Sequence, residues 1–366
     1  MRLSTALLLA GAVPTFAKRA RSGSLAKRQV ITVFPRDAWS TEDRYTIMDN
    51  DYTATSMGPF LLTLSANMTV LGLTGNTADS WALQCSLHAL ALLEHGNLSC
   101  IPVALGEYNP ITITQARFDS CTQAWGTLDW DGVFAPENLT AESLGNDPTG
   151  GNPDRISKSA FVEGYPNTSF IDQAAAVFMV EQVHRNAKEL VIMGGYVDLN
   201  LLQVTSDWNQ DLGSDINFII DPEAAHIAVT ADWPSITIVG NVANSLYLPN
   251  TTVQNIVSRS PNLYSDLSED YYLGYPLWDE ITAAIMAYPE VVTDSIEVYM
   301  EVSTAYDSPF YGGTYLWGND FAPIYTRKVN YVLAINDTMF FEKFDRANLC
   351  RRKMQLSTRR AAEKKQ

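Results

Sequence analysis

Asp49-Asn50-Asp51 closes an apolar, strand-like run, Tyr45–Met48. Two carboxylates at alternate positions of an extended chain point the same way, as a hard-cation site or an acid/base pair requires. The same tripeptide also reads as a turn whose solvated acids cap the following helix. Asn76 follows Leu71-Gly-Leu-Thr-Gly75 and opens a helix, where a short amide serves as cap by default and as ligand donor otherwise. Asp215-Ile-Asn217 is expected to begin a strand, its spacing placing both polar side chains on one face, or to be an exposed strand end. Asp279 follows Tyr275-Pro-Leu-Trp278 at a helix start and is a cap or a ligand. Asp221-Pro-Glu-Ala-Ala225, with proline in the first turn and acids at the positive dipole end, is read as structural.

Other chemistries find no support. His88, His95, His184 and His226 show no zinc-site spacing, and no Gly-x-Ser-x-Gly or catalytic cysteine context occurs. Gly194-Gly195 and Gly312-Gly313 lack the frame of a phosphate-binding loop.

Candidate residues need elements to hold them. Strands are expected at Tyr45–Met48, Thr69–Leu73, Ile101–Leu105, Leu190–Met193, Ile216–Ile220, Ile236–Val239, Ile296–Val302 and Val329–Ile335. Helices are expected at Pro59–Ala66, Ser80–Glu94, Ile171–Arg185, Pro222–Thr230 and Asp279–Ala287. This alternation predicts a single α/β domain with a mostly parallel open sheet flanked by helices. Several strands end in polar or glycine residues, and the crevice beyond those ends is where such sheets bind ligands. The Gly-, Asn-, Asp- and Pro-rich stretch between Trp125 and Glu163 is a long excursion and not a linker, because the pattern resumes after it.

The chain has 366 residues, 46% hydrophobic and 18% charged, with a formal charge of −16. Both ends are basic, which leaves 10 basic and 39 acidic residues in 29–342, a net of −29. So acidic a body repels phosphate backbones, so nucleic acid is excluded as a partner, while uncharged substrates or metal cations fit. Met1–Ala17 reads as a signal peptide and 18–28 as a pro-segment with dibasic sites Lys18-Arg19 and Lys27-Arg28. The domain is placed at 29–342 and a basic tail, disordered at its end, at 343–366. No later run is long enough to span a bilayer, so no integral membrane segment is expected. Sequons at Asn67, Asn97, Asn138, Asn167, Asn250 and Asn336 accord with a secreted, extracellular glycoprotein. Of Cys85, Cys100, Cys121 and Cys350, the first three are expected to form one bridge, the pair left open.

Taken in order, Thr46-Ile-Met-Asp-Asn-Asp51, Val70-Leu-Gly-Leu-Thr-Gly-Asn76, Val191-Ile-Met-Gly-Gly195, Ser214-Asp-Ile-Asn-Phe218, Asp221-Pro-Glu-Ala-Ala225 and Pro276-Leu-Trp-Asp279 form a series. This series resembles the inosine–uridine preferring nucleoside hydrolase family, in particular its secreted fungal branch. The resemblance implies a single α/β domain that binds one Ca²⁺ and hydrolyses the N-glycosidic bond of a small-molecule ribonucleoside. By position it implies that Asp51 ligates calcium and takes a proton from the attacking water, and that Asp279 is a second metal carboxylate touching the ribose. Asn76, Met193, Asn209, Asp215 and Asn217 fall where the family holds the ribose hydroxyls. It also implies a homodimer or homotetramer.

Three departures accompany the resemblance. The family's opening Asp-x-Asp-x-x-x-Asp-Asp ends here in Thr55 and Ser56, so hydroxyls replace a ribose-binding and a metal-binding carboxylate and Ca²⁺ binding weakens. Trp278 stands where several members carry a histidine that protonates the leaving base; indole is no useful acid but can stack on a base. The helix ending near Asn186 runs straight into Lys188–Met193, without the strand, Gly-Pro-Leu-Thr-Asn-like turn and helix that the family has there. That turn supplies the metal with a backbone carbonyl. Together these departures open an alternative, a catalytically impaired or inactive paralogue that keeps the fold and binds a nucleoside or sugar.

Overall fold

The computed structural model describes residues 44–52, 57–77, 82–125, 140, 164–183, 187–197, 216–259 and 276–348. The first parallel set of strands is β1 (Tyr45–Asn50), β2 (Thr69–Gly75) and β3 (Val103–Leu105), in that spatial order. The helices α1 (Met57–Ser65) and α2 (Ala82–His95) connect them. β2 is buried from Val70 to Gly75, as a strand covered on both faces must be. Its core partners are Met48, Phe60, Leu87, Leu90, Leu93 and Val103.

The second set has the order β4-β5-β8-β6-β7. Here β4 (Leu190–Met193), β5 (Ile236–Val239) and β8 (Arg327–Ile335) run parallel, whereas β6 (Val292–Val302) is antiparallel to both β8 and β7 (Thr314–Trp317). The expected α/β architecture with mostly parallel strands is therefore present. Remaining helices are α3 (Gln115–Trp125), α4 (Ala175–Val183), α5 (Ile216–Ile219), α6 (Pro222–Thr230), α7 (Asn250–Arg259), α8 (Trp278–Ala287) and α9 (Asp337–Asn348).

α1 joins the two halves. Phe60 enters the first core, while Met57, Leu61 and Leu62 enter a second one with Ile281 of α8 and Phe340 and Phe344 of α9. α8 lies along β1, tied to it at both ends. Arg44 donates to the carbonyls of Ala287 (2.7 Å) and Met286 (2.6 Å), capping the last turn of α8 with a cation where the helix dipole favours one. At the other end, Asn50 reaches Asp279. A helix clamped in this way carries its first residues to the carboxyl end of β1.

Four expectations change. Ile216–Ile220, read as a strand, begins as helix α5 and leads into α6, and only Phe218 in α5 is buried. A run this short fits either period, and the Asp221 side chain accepting from Ala224 N–H at 3.1 Å commits the following chain to helix. α9 continues through Asn348 into the stretch read as basic tail, because Phe340, Phe344 and Ala347 bury one helical stripe. The expected disulfide is not made: Cys85 carries a buried thiol in α2 and Cys100 an exposed one. β7, α3, α7 and α9 were not expected. β7 is a short edge strand, and α7 buries only Val253 and Ile256.

Candidate active site

Parallel strands deliver their carboxyl ends to a common edge, and the polar residues found there come from β1, β2, β4 and β5 together with the start of α8. After β1 the chain turns sharply at Tyr52, whose φ of 50° lies in the left-handed region that favours glycine. The turn is held by the Tyr52 hydroxyl donating to Met48 O at 2.6 Å and by Tyr52 N–H donating to Asn50 Oδ1 at 3.0 Å. Asp51 sits inside it.

Three carboxylates gather at this corner. Asn76, at the end of β2, donates Nδ2 to Asp49 Oδ1 at 2.8 Å. Asn50 donates Nδ2 to Asp279 Oδ2 at 3.0 Å across the sequence. Asp49 remains open to solvent, and Asp51 and Asp279 are half-buried. Although the Asp49 side chain reaches solvent, the protein packed around it displaces enough water to raise its carboxyl to about 6, opposed by a hydrogen bond from Thr74 and reinforced by the charge of Asp51. Enclosure likewise raises Asp279 to about 6, with the Asp51 charge adding and the Asn50 hydrogen bond opposing. Raised carboxylates that water can still reach mark this strand-end corner as a candidate site.

Among the described residues, no group of three or more His, Cys, Asp or Glu side chains converges as a metal site. What the corner offers is Asp51 and Asp279, two hard oxygen donors that repel each other until a cation or a proton intervenes. Their chemistry fits Ca²⁺ in kind, although that ion takes about six to eight oxygens.

The second corner lies beyond β4 and β5. Asn217 donates Nδ2 to Met193 Sδ at 2.8 Å and to Met193 O at 3.4 Å, so two residues expected at the ribose do meet. They meet from a helix and a strand end, and not along one strand face as the spacing suggested. Tyr331 of β8 donates toward Gly195 O (2.9 Å) and Asn241 Oδ1 (2.7 Å), and its oxygen accepts Asn241 N–H at 3.2 Å. Gly240 makes room for that phenol: a Cβ there would collide with the Tyr331 hydroxyl and lie 2.6 Å from Gly195 O. Asn244 Oδ1 accepts both Trp278 Nε1–H (2.7 Å) and the Tyr196 hydroxyl (3.2 Å).

Asp51, Asn76, Met193, Asn217 and Asp279 thus fall on the strand-end edge, in two clusters. Thr55, Ser56, Asn209 and Asp215 lie outside the described residues. Sequence reasoning passed over Asn50 as a tether for Asp279, although it stands inside the flagged tripeptide. Asn241 was visible only as a strand-end residue, and Tyr331 carries no local signal in the middle of an apolar strand.

The sequence model described as "Inosine-uridine preferring nucleoside hydrolase" matches residues 46–342. The uncharacterized Schizosaccharomyces pombe protein C800.11 is 35% identical over 328 residues, covering 81% of this chain and 83% of that protein. Among solved structures, the purine-preferring ribonucleoside hydrolase from Gardnerella vaginalis superposes with a TM-score of 0.63 at 16% identity, covering 85% of this chain and 100% of that one. The plant nucleoside hydrolase PpNRh1 gives a TM-score of 0.62 at 15% identity, covering 84% and 99%. Those two likenesses speak to the fold. The family match over most of the chain, on the same strand ends that carry the clustered acids and amides, places this protein in the inosine-uridine preferring nucleoside hydrolase family.

Proposed function

We propose that the chain hydrolyses the N-glycosidic bond of ribonucleosides, releasing base and ribose. The observation carrying this reading is the approach of Asp51 to Asp279 at the carboxyl edge of β1, with Asn50 holding the latter. Asp51 takes the proton of the attacking water. Asp279, steered by Asn50, binds the ribose, while Asn76, Met193 and Asn217 contribute further polar contacts to its hydroxyls; Thr55, Asn209 and Asp215 complete the proposed set. Asp51 and Asp279 would hold Ca²⁺, which when bound lowers the pKa of a water molecule. The carboxylate floor also stabilises the positive charge that develops on the sugar as the bond breaks. Ribose release from mixed purine and pyrimidine nucleosides, with and without a calcium chelator, tests this. Chelator-sensitive release supports it, and no release by a cooperatively melting protein refutes it.

A second reading is a binding paralogue without catalysis, favoured by the two-carboxylate donor set among the described residues. Calcium affinity separates the two readings. Binding tighter than about 0.1 mM suffices for an extracellular enzyme, and weaker binding with intact nucleoside affinity selects the paralogue.

The proposed setting is extracellular, after removal of 1–17 and processing within 18–28, with a 29–342 domain acting as a homodimer or homotetramer. The sequon asparagines Asn67, Asn97, Asn167, Asn250 and Asn336 are all exposed, which supports glycosylation; Asn138 lies outside the described residues. Loss of mass on enzymatic deglycosylation checks it. Absence of a strand–turn–helix unit after Asn186, as by a skipped exon, is supported by β1 and β4 each ending its hydrogen-bonded set. A genomic reading frame uninterrupted across Asn186–Lys188 would rule out the skipped exon.

A further inference from the structure

The amino edge of the β1–β3 set carries the same three-residue arrangement twice, where α1 leads into β2 and α2 leads toward β3. Each helix ends in a Schellman turn. After α1, Asn67 N–H donates to Leu64 O (3.0 Å) and Met68 N–H to Thr63 O (3.3 Å). After α2, Asn97 N–H donates to Glu94 O (3.1 Å) and Leu98 N–H to Leu93 O (2.8 Å). The turn residue lies in the left-handed region in both cases, with φ of 60° at Asn67 and 56° at Asn97. Glycine is the usual residue at such a position, because it has no Cβ to strain. Among the described non-glycine residues, Tyr52 is the one other with positive φ.

Both turns continue alike. The next residue is apolar and buried, Met68 or Leu98, and the one after it is an exposed hydroxyl, Thr69 or Ser99. The buried contact belongs to the helix stop. The hydroxyl does not, and with the asparagine it completes an Asn-x-Ser/Thr acceptor for N-linked sugar. A third acceptor, Asn167-Thr-Ser169, is tied to the same place. Glu94, in the last turn of α2, accepts the N–H of Asn167 (2.7 Å), the N–H of Thr168 (2.5 Å) and Asn167 Nδ2 (3.3 Å). All three asparagines and their hydroxyl partners are exposed.

We propose that Asn67, Asn97 and Asn167 carry N-linked oligosaccharides, and that asparagine ends α1 and α2, where glycine serves the backbone better, because it is the attachment point. These sugars keep the amino edge of β1–β3 facing solvent in any assembly of the chain. The inference rests on the secretory reading above and goes beyond it in assigning the edge and the reason for the residue. In the transfer, Nδ2 bonds to C1 of the sugar as the C1–O bond to a polyprenyl diphosphate donor breaks. The diphosphate leaves with the electron pair, and Nδ2 loses one proton. Each asparagine keeps one side-chain N–H, which leaves Asn167 a donor for Glu94. The candidate site stands at the opposite ends of the same parallel strands, so sugars here leave it open.

The test is expression of the full-length chain in a secreting yeast, with each acceptor read by peptide mass spectrometry after enzymatic deglycosylation in heavy-oxygen water. Asn67, Asn97 and Asn167 should each be marked. Thr69→Val and Ser99→Ala leave the turn residue untouched and should each remove the mass of one sugar chain. Asn67→Gly and Asn97→Gly should remove the same mass. The melting temperature of these glycine variants, compared with the parent after deglycosylation of both, should hold, since glycine adopts the left-handed turn without strain. Light scattering should count the same number of subunits with and without sugar. A secreted protein bare at Asn67 and Asn97, whatever the state of Asn250 and Asn336, makes the two asparagines plain helix stops and overturns the proposal. Fewer subunits in the glycosylated form would mean that the sugars cover an interface, which overturns the solvent-facing edge. A folded protein retained in the cell and unmodified at every acceptor refutes the secretory reading and the proposal with it.

Discussion

The two strand-end corners differ in the charge of the groups they bring together. Beyond β4 and β5, the Tyr331 hydroxyl and the side-chain oxygens of Asn241 and Asn244 have partners of the right kind: phenol with carbonyl and amide, amide oxygen with indole and phenol. Such a network rigidifies the chain around it. At the end of β1, burial and then the nearby charge of Asp51 raise the Asp49 and Asp279 carboxyls to about 6, against the hydrogen bonds that each accepts. One corner is at rest without a ligand, and the other is poised for a cation, a proton or a substrate. The chemistry we propose lies at the end of β1.

Removing the proposed base should give the largest effect. Asp51→Asn is expected to cut ribose release by about 10³-fold, the middle of the range for a positioned base, while thermal stability holds or rises because a like charge is gone. A fall in activity matched by a fall in melting temperature would make Asp51 structural. Next comes the quiet corner. Gly240→Ala drives a methyl group into the Tyr331 hydroxyl and the Gly195 carbonyl, and urea unfolding should show a loss of about 2–3 kcal/mol. Tyr331→Phe leaves Gly195 O and Asn241 without the phenol and should cost about 1–2 kcal/mol, again by urea titration.

The smallest effect is the pH dependence of the charged corner. The Asp279 carboxyl is raised from 3.8 to about 6, so the folded state holds its proton more tightly than the unfolded chain does. Stability is therefore favoured at low pH, falls as pH rises from about 4 to about 6, and carries the full penalty above that. In chelator, melts across this window should show the decline, about 1 kcal/mol once solvent screening is allowed for, and Asp279→Asn should flatten it. An equal slope in the variant would place the charge penalty elsewhere.

Legibility followed range. Leu190–Met193 and Ile236–Val239 match their strands residue for residue, their β-branched content tipping short apolar runs toward strand. Ile216 and Asn217 failed as a strand start because a short, mostly apolar run suits a helix equally, and the neighbouring Asp221 cap decided it. Asp51 and Asp279 were each recognisable from their motifs. That Asn50 joins β1 to Asp279, at a separation of 229 residues, was not.

The sequence by itself determined the parallel α/β class, the acidic body, the family and the strand ends at which acids and amides stand, since these depend on neighbours within a few positions and on composition. Only the tertiary structure decided which of those residues meet. Carboxylates repel and amides pair over a few ångströms, and distances of that order between β1 and α8, or between β8 and the turn after β5, exist only once the chain has folded.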